Sequence, residues 1–176
     1  MDLPEIESVQ PLTSLVLKDD VPSSPLIDQL FTQTVCDEIQ KIQMNVMNKT
    51  YKLGLIQCVQ KDLLYNCLMC LYPTFQKSQS MLERKRILDQ LNVSTIEDLS
   101  NLFQVNIVLV SIQGKKIYLK QDTKKLFKKM IVLCIDIINN VTLYSGVGMY
   151  DKDVLQTIFE YKNINNNIEL LDQMSK

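Results

Sequence analysis

The segment that most constrains the fold is residues 129–138 (KMIVLCIDII), which is apolar at nearly every position. A strand with one solvated face alternates apolar and polar residues, whereas a strand that is covered on both faces is apolar throughout. The segment therefore predicts a central strand of a sheet. The Asn139-Asn140 dipeptide then indicates a turn, and residues 141–144 (VTLY) indicate a second strand that pairs with the first.

Two further strands are predicted just before this pair. Residues 106–112 (NIVLVSI) and 116–120 (KIYLK) are rich in β-branched side chains, and their connection contains Gly114. This composition is typical of a β-hairpin. In the central strand, Asp136 lies two residues from Cys134 and so faces the same way. We expect its carboxylate to reach a partner or to lie at the exposed end of the strand, because an unpaired buried charge is costly.

The first half of the chain has the spacing of helices. Ser24 followed by Pro25 is a helix-start signal. Apolar residues then recur at helical intervals and predict a long amphipathic helix over residues 25–47. These residues are Leu26, Leu30, Val35, Ile39, Ile42 and Val46. In residues 51–60, Gly54 interrupts an apolar run that fits a strand or a helix, and we favour a turn before a helix.

Capping signals predict the remaining helices. Asp62 is placed to cap a helix over residues 63–71, which ends before Pro73 because proline has no amide for the next turn. Two capping boxes predict helices over residues 80–91 and 95–103. The capping pairs are Ser80 with Glu83 and Ser94 with Glu97. A last helix would begin at Asp151 or Asp153 and use Val154, Leu155, Ile158 and Phe159.

Together these elements predict an α+β fold in which N-terminal helices pack on a small, mostly antiparallel sheet. The length of 176 residues fits one globular domain, which we place at residues 25–162. Residues 1–24 contain three prolines and several acidic side chains without a sustained period, which indicates an extended acidic arm. The Asn-rich residues 163–176 are expected to form a partly helical tail.

The composition also predicts where the protein is found. No segment approaches the ~20 apolar residues of a membrane-spanning helix, and the amino terminus is acidic where a secretory signal is basic. Five cysteines in apolar contexts indicate reduced core thiols. We therefore expect an intracellular protein of a reducing compartment, the host cytoplasm or a virus particle. Residues with GC-rich codons are scarce, which suggests the AT-rich genome of a large DNA virus, a parasite or a ciliate.

The chain contains no histidine. Because histidine is the usual general base and the commonest metal ligand, a Ser-His-Asp triad, a Cys-His dyad and a histidine-bearing zinc site are excluded. The CxxC motif of Cys67 and Cys70 lies within a leucine-rich helical pattern and has no second pair, so it predicts buried thiols. Neither a GxSxG elbow nor a glycine-rich phosphate loop is present. We expect no metal and no cofactor.

One segment, residues 115–129 (KKIYLKQDTKKLFKK), has seven lysines against a single aspartate. Such lysines could neutralise phosphates while the aromatic side chains stack on bases. They could equally form a solvated hairpin face that blocks edge-to-edge pairing. A sequence pI near 5.5 and the scarcity of arginine favour the solvated face and leave an acidic protein partner open. The residues of this patch are Lys115, Lys116, Lys124, Lys125, Lys128 and Lys129.

From about residue 62 to 162, the order of elements resembles the ovarian-tumour (OTU) family of papain-like cysteine proteases, which remove ubiquitin. Residues 65–69 (YNCLM) stand where the family has Asp-Gly-Asn-Cys-Leu/Phe at the start of a helix. Residues 99–110 (LSNLFQVNIVLV) resemble the segment in which a helix runs into a strand. Leu143-Tyr144 stands where the family has His-Tyr. The resemblance implies an OTU-like fold.

The chain departs from this family at the catalytic positions. Leu64 and Tyr65 replace the Asp-Gly that shapes the oxyanion loop, and Leu143 replaces the catalytic base. A cysteine with neither a base nor a positive neighbour remains a thiol, which is a poor nucleophile. The resemblance therefore implies a fold kept without its catalysis, with Cys67 and Leu143 as vestiges of the site.

Three functions are compatible with these observations. We favour a non-catalytic interaction or structural subunit of a larger assembly, which we expect to be viral, with the acidic arm and the helix over residues 25–47 as docking elements. Its expected partner-binding residues are Leu26, Leu30 and Ile39. One alternative is a cysteine deubiquitinase or hydrolase that uses Cys67 with an unconventional base. The other is a nucleic-acid accessory protein that uses the lysine hairpin of residues 115–129.

Overall fold

A computed structural model describes residues 36–58, 61–71, 95–121 and 127–175. The predicted arm over residues 1–24, the helix over residues 80–91, Leu26 and Leu30 lie outside these ranges. Within them the strands are β1 (Cys36–Val46), β2 (Lys49–Cys58), β3 (Asn106–Gln113), β4 (Lys116–Gln121), β5 (Lys129–Ile138), β6 (Val141–Asp151), β7 (Val154–Gln156) and β8 (Phe159–Glu160). The helices are α1 (Leu63–Leu71), α2 (Ile96–Phe103) and α3 (Asn167–Met174).

All eight described strands belong to one sheet. Its strand order is β1-β2-β6-β5-β3-β4, with β7 paired to β6 and β8 paired to β5. Every pairing is antiparallel except that of β3 with β5. The prediction of an α+β, mostly antiparallel fold is therefore confirmed. The predicted N-terminal helices are wrong over residues 36–58, where two strands precede the first described helix.

The first of these errors concerns β1, which we predicted to be part of a helix over residues 25–47. The apolar residues Ile42, Met44 and Val46 alternate with polar ones, and Met44 is almost completely buried. This two-residue period is that of a strand with one covered face. The helical spacing arose from mixing Ile39, which belongs to the opposite face, with Ile42 and Val46. Pairing with β2 across a two-residue turn then fixes the strand.

The second error concerns β2, which we predicted to be a turn leading into a helix. Gly54 suggested the turn, but it lies within the strand opposite Lys41. A Cβ atom at this position would come within 2.6 Å of Leu155 Cδ1 and 2.9 Å of Ile39 Cγ2. Glycine is thus required by the close packing of neighbouring side chains and not by a turn.

The third error concerns residues 154–159, where strands β7 and β8 replace the predicted helix. Leu155 pairs with Tyr150 and Val154 with Asp151, so the chain turns back along β6. The turn includes Lys152 with a φ of 58°. Asp151 and Asp153, the two predicted caps, therefore lie in a β-hairpin and cap no helix.

Several predicted elements are confirmed. Helix α1 begins after Asp62, whose Oδ1 accepts the Tyr65 amide at 2.8 Å. Helix α2 is capped by Thr95, one residue after the predicted Ser94, and its hydroxyl accepts the Asp98 amide at 3.1 Å. The hairpin of β3 and β4 and that of β5 and β6 are both present. Helix α3 lies in the tail predicted to be partly helical.

Strand β5 is buried on both faces over residues 130–133, as its apolar sequence predicts, but its last three residues are exposed. Ile131 and Leu133 pack on one side against α1 and α2, in a cluster with Cys67, Leu68 and Phe103. Met130 and Val132 pack on the other side with α3, in a cluster that also holds Met44, Leu53, Leu170 and Leu171. The two-sided core explains the apolar sequence of residues 130–133, whereas Ile137 and Ile138 are apolar without being buried.

Candidate functional site

The thiol that the sequence singles out, Cys67, lies in the core. Its relative exposure is 0%, and it packs in the cluster beneath α1. Burial raises the pKa of the Cys67 thiol well above its ordinary value, and the nearby Cys70 and Asp62 act in the same direction. A protonated sulfur that solvent cannot reach is unsuited to nucleophilic attack.

The structure does not bring Cys67 and Leu143 together. Tyr144 packs in the same cluster as Cys67, whereas Leu143 lines a cavity on the other face of the sheet with Cys134. Successive residues of a strand face opposite sides, so only one of this pair can approach the thiol. Helix α1 is instead joined to β6 by Asn66, a buried residue whose Oδ1 accepts the Gly146 amide at 3.2 Å.

A different region has the form of a binding site, and we call it the edge groove. It is a cavity of about 560 Å³ between the two edge strands of the described sheet, with α3 beside them. Its lining residues are Gln43, Met44, Asn45, Val46, Met47, Lys115, Lys116, Ile117, Tyr118, Asn167, Ile168 and Leu171. The groove exists because the sheet curls so that β1 and β4 face each other without pairing.

Both strands turn backbone hydrogen-bonding groups toward this groove. Val46 and Lys49 close the two-residue turn of β1 and β2, so the backbone groups of Gln43 and Asn45 point away from β2. On β4, the Leu119 amide points away from β3, because it donates to Asn167 Oδ1 of α3 at 2.6 Å. Ile117, two residues earlier, faces the same way. The groove is therefore bordered by sheet edges with hydrogen-bonding capacity.

Apolar side chains are exposed along the groove. Met47 is 80% exposed, Ile168 40% and Tyr118 39%. Met47 also has a φ of 48° in the left-handed region, where asparagine or glycine is the usual residue. With four-fifths of its surface exposed, the Met47 side chain contributes little to packing among the described residues and is accessible to a ligand.

The groove is electrostatically positive. None of its lining residues within the described ranges is acidic, whereas Lys115 and Lys116 are both exposed there. The nearby carboxylates of α3 have other partners: Asp172 accepts the Tyr51 hydroxyl at 2.6 Å, and Glu169 accepts the Asn165 amide at 2.6 Å. The groove thus combines an apolar surface with a positive end.

A second cavity of about 550 Å³ lies on the same face of the sheet and is more polar. Cys134 and Asp136 both line it, as their two-residue spacing predicts. Lys61 lies at this cavity and donates to Gln57 Oε1 at 2.8 Å and to Ser145 Oγ at 3.5 Å. These polar groups already bind one another, so the cavity has fewer free groups than its composition suggests.

Few of the residues predicted to be functional are brought together. Lys115 and Lys116 share the edge groove, but Lys129 forms an ion pair with Glu160 at 2.6 Å and Lys128 is not a groove residue. The predicted lysines at positions 124 and 125 lie outside the described residues. Ile39 is partly buried against Gly54.

Sequence reasoning missed the main groove residues. The groove is made by residues from the ends of three elements far apart in the chain, so no spacing could reveal it. Met47-Asn48 is the one local signal, because a two-residue connection between apolar segments indicates a hairpin tip. In the described ranges, no cluster of His, Cys, Asp and Glu side chains is placed to hold a metal.

Comparison with known proteins finds no matching protein family, no similar curated protein and no similar solved structure. Among the helices of the described ranges, none is both long enough and apolar enough to cross a bilayer.

Proposed function

We propose that this chain is a non-catalytic, protein-binding subunit of a larger assembly, and that it binds an extended segment of a partner protein in the edge groove. The observation that carries the proposal is that both edge strands of the described sheet line one apolar groove. An added strand there would satisfy the outward backbone groups of Gln43, Asn45 and Ile117. Strand addition of this kind obtains affinity from main-chain hydrogen bonds and specificity from the side chains beside them.

The charge of the groove supports a partner segment that is acidic as well as aliphatic. Lys115 and Lys116 would contact its carboxylates, while Met47, Tyr118 and Ile168 would contact its apolar side chains. Opposite charges at the rim of an interface accelerate association and fix the register of the segment.

The two alternative functions have less support. The burial of Cys67 and its raised pKa argue against a cysteine hydrolase. The ion pair of Lys129 with Glu160 removes one lysine from the patch proposed to bind nucleic acid. The viral origin of the assembly stays a prediction from composition.

Selection from a library of random peptides displayed on phage tests the proposal without knowledge of the partner's sequence. Selection on the purified full-length chain should enrich peptides in which aliphatic residues alternate and acidic residues follow. Ile168→Glu should abolish their binding while the fold persists, because a glutamate suits the first turn of α3.

Val154→Glu is the matched control, since Val154 is 68% exposed on β7 and does not line the groove. The proposal fails if the selected peptides bind the Ile168→Glu and Val154→Glu variants equally well, or if selection yields no binding peptide.

A further inference from the structure

The second cavity, which Cys134 and Asp136 line, lies where several strands leave the core on one face of the sheet. On β1, Met44 is buried in the core, and the next two residues on that face, Ile42 and Gln40, line the cavity. Strands β2, β5 and β6 leave the core at the same cavity. Their residues, from core to cavity, are Leu53, Leu55 and Gln57 on β2, Val132, Cys134 and Asp136 on β5, and Val147, Ser145 and Leu143 on β6. Four strands thus direct side chains into one concave site.

The floor of this cavity is apolar. Ile42, Leu55 and Ile112 line it, and each is only partly buried against the core beneath. The space above them is about 550 Å³, which is within the range of small-molecule sites in proteins. An apolar group of a ligand would remove the remaining surface of these side chains from water.

Two opposite charges lie in the wall of the cavity without contacting each other. Lys61 Nζ donates to two uncharged groups, Gln57 Oε1 and Ser145 Oγ. Within the described ranges, neither Lys61 nor Asp136 forms an ion pair, although both line the cavity. An ammonium has three N–H donors, so Lys61 keeps one for a ligand, and the Asp136 carboxylate can accept from one.

The two charges are spaced for a small zwitterion. Ser145, whose hydroxyl accepts from the Lys61 ammonium, pairs with Cys134 across β5 and β6. Asp136 is the next residue after Cys134 on that face, so it is a diagonal neighbour of Ser145. Diagonal neighbours in a sheet lie roughly 7–8 Å apart. Two charge-assisted hydrogen bonds of about 2.8 Å each fill most of this distance. The remaining gap fits a ligand whose two charged groups share one carbon atom, as in an α-amino acid.

We infer that the second cavity binds a free α-amino acid with a large apolar side chain. The carboxylate of the ligand accepts a hydrogen bond from Lys61, and its ammonium donates to Asp136. Its side chain lies on Ile42, Leu55 and Ile112. A ligand with a single charge would leave one of the two wall charges without a partner. The inference is independent of the edge groove, because the two cavities share no lining residue.

NMR titration of the full-length native chain with L-leucine, L-methionine and L-phenylalanine tests the inference. At least one of the three should bind with a Kd below about 1 mM. Glycine carries the same two charges without a side chain, so it should bind at least about tenfold more weakly. The inference is wrong if none of the three binds at this level, or if glycine binds equally well.

Derivatives of the tightest-binding amino acid test each charge on the native chain. The amide lacks the carboxylate, and the N-acetyl derivative lacks the ammonium. Each should bind at least about tenfold more weakly than the amino acid, because each loses one charge-assisted hydrogen bond. Equal affinity for the amino acid and either derivative would overturn the assignment of a zwitterion.

Variants of the wall residues assign each charge to its partner. Lys61→Met should weaken the amino acid at least about tenfold and leave the affinity for its amide unchanged, because the amide has no carboxylate. Asp136→Asn should weaken the amino acid by a similar factor and leave the affinity for the N-acetyl derivative unchanged. Lys120→Met and Asp153→Asn are the matched controls, since both residues are exposed and neither lines the cavity. If the wall variants bind the amino acid as tightly as the controls do, the inference fails.

The thiol of Cys134 reports where the ligand binds, because it lines the cavity. With the amino acid at about ten times its Kd, iodoacetamide at pH 8 should modify Cys134 about tenfold more slowly, since only the unbound fraction reacts. Mass spectrometry measures this rate in the folded chain. Binding that leaves the rate at Cys134 unchanged would place the ligand elsewhere and overturn the inference.

Discussion

Met47→Asn should stabilise the fold and weaken binding at the same time. Met47 occupies the first position of the turn between β1 and β2 with a φ of 48°, which asparagine adopts at lower cost than methionine. Its side chain is 80% exposed, so its removal loses little packing within the folded chain. We expect the free energy of unfolding to rise by about 0.5–1 kcal/mol.

The loss of affinity follows from the same exposure. Complete burial of a methionine side chain contributes about 1.5–3 kcal/mol relative to an exposed one. Because four-fifths of Met47 is still exposed, roughly 1–2 kcal/mol of this remains for a ligand to gain. Peptides selected on the native chain should therefore bind the Met47→Asn variant about 5–30-fold more weakly.

Urea denaturation measures the stability, and isothermal titration with a selected peptide measures the affinity. Lys152→Asn is the matched control: Lys152 has a φ of 58° in the β6–β7 turn, is exposed and does not line the groove. It should gain similar stability with unchanged affinity. If Met47→Asn destabilises the chain, or stabilises it with unchanged affinity, the functional interpretation of this strained residue is wrong.

Three further predictions concern the core and α3. Iodoacetamide at pH 8 should modify the partly buried Cys134 before Cys67, because complete burial keeps the Cys67 pKa high. Mass spectrometry of the folded chain measures the order of modification, and modification of Cys67 first would contradict this prediction. Gly146→Ala should lower the free energy of unfolding by about 1–3 kcal/mol in urea titrations, since its Cβ would lie 2.7 Å from Cys70 Sγ; an unchanged midpoint would refute the close packing of α1 on β6. Tyr51→Phe should cost about 1–2 kcal/mol by loss of a hydrogen bond to α3. Burial, and then the neighbouring Asp172 carboxylate, raises the pKa of Tyr51 from 10.0 to about 12. The difference in stability between the native chain and the Tyr51→Phe variant should therefore be complete below pH 10 and disappear as the pH rises to about 12. A stability difference that does not change with pH over that range would contradict the hydrogen bond from Tyr51 to Asp172.

The strands of the second half of the chain were predictable because their signals are local. The apolar residues 130–133 of β5 are required by burial on both faces, and Asn139 and Asn140, with φ values of 52° and 64°, suit the turn that follows. Capping by Asp62 was equally predictable, because a cap and its target amide lie three residues apart.

Strands β1 and β2 were mispredicted for different reasons. In β1, apolar side chains lie on both faces of the strand. Ile39 faces one side of the sheet while Ile42, Met44 and Val46 face the other, and this change of face imitates helical spacing. In β2, Gly54 reflects contact with Leu155, about a hundred residues away in the chain. Such a requirement of tertiary packing leaves no trace in the local sequence.

The candidate site was even less predictable than the fold. The absence of histidine excludes a Cys-His dyad, but it identifies no binding surface. The edge groove depends on the curl of the sheet, which brings residues 43–47 and 115–118 to one cavity. Its lysines, Lys115 and Lys116, are conspicuous in the sequence as part of the patch over residues 115–129, but the structure does not show that patch as one continuous surface.

Intermolecular NOEs between a groove-selected peptide and the isotope-labelled chain test the central claim most directly. Strand addition predicts backbone contacts from one peptide to the amides of Gln43 and Asn45 on one side and of Ile117 on the other. A bound peptide whose contacts lie at the second cavity around Cys134, or that touches side chains without approaching these three amides, would contradict it.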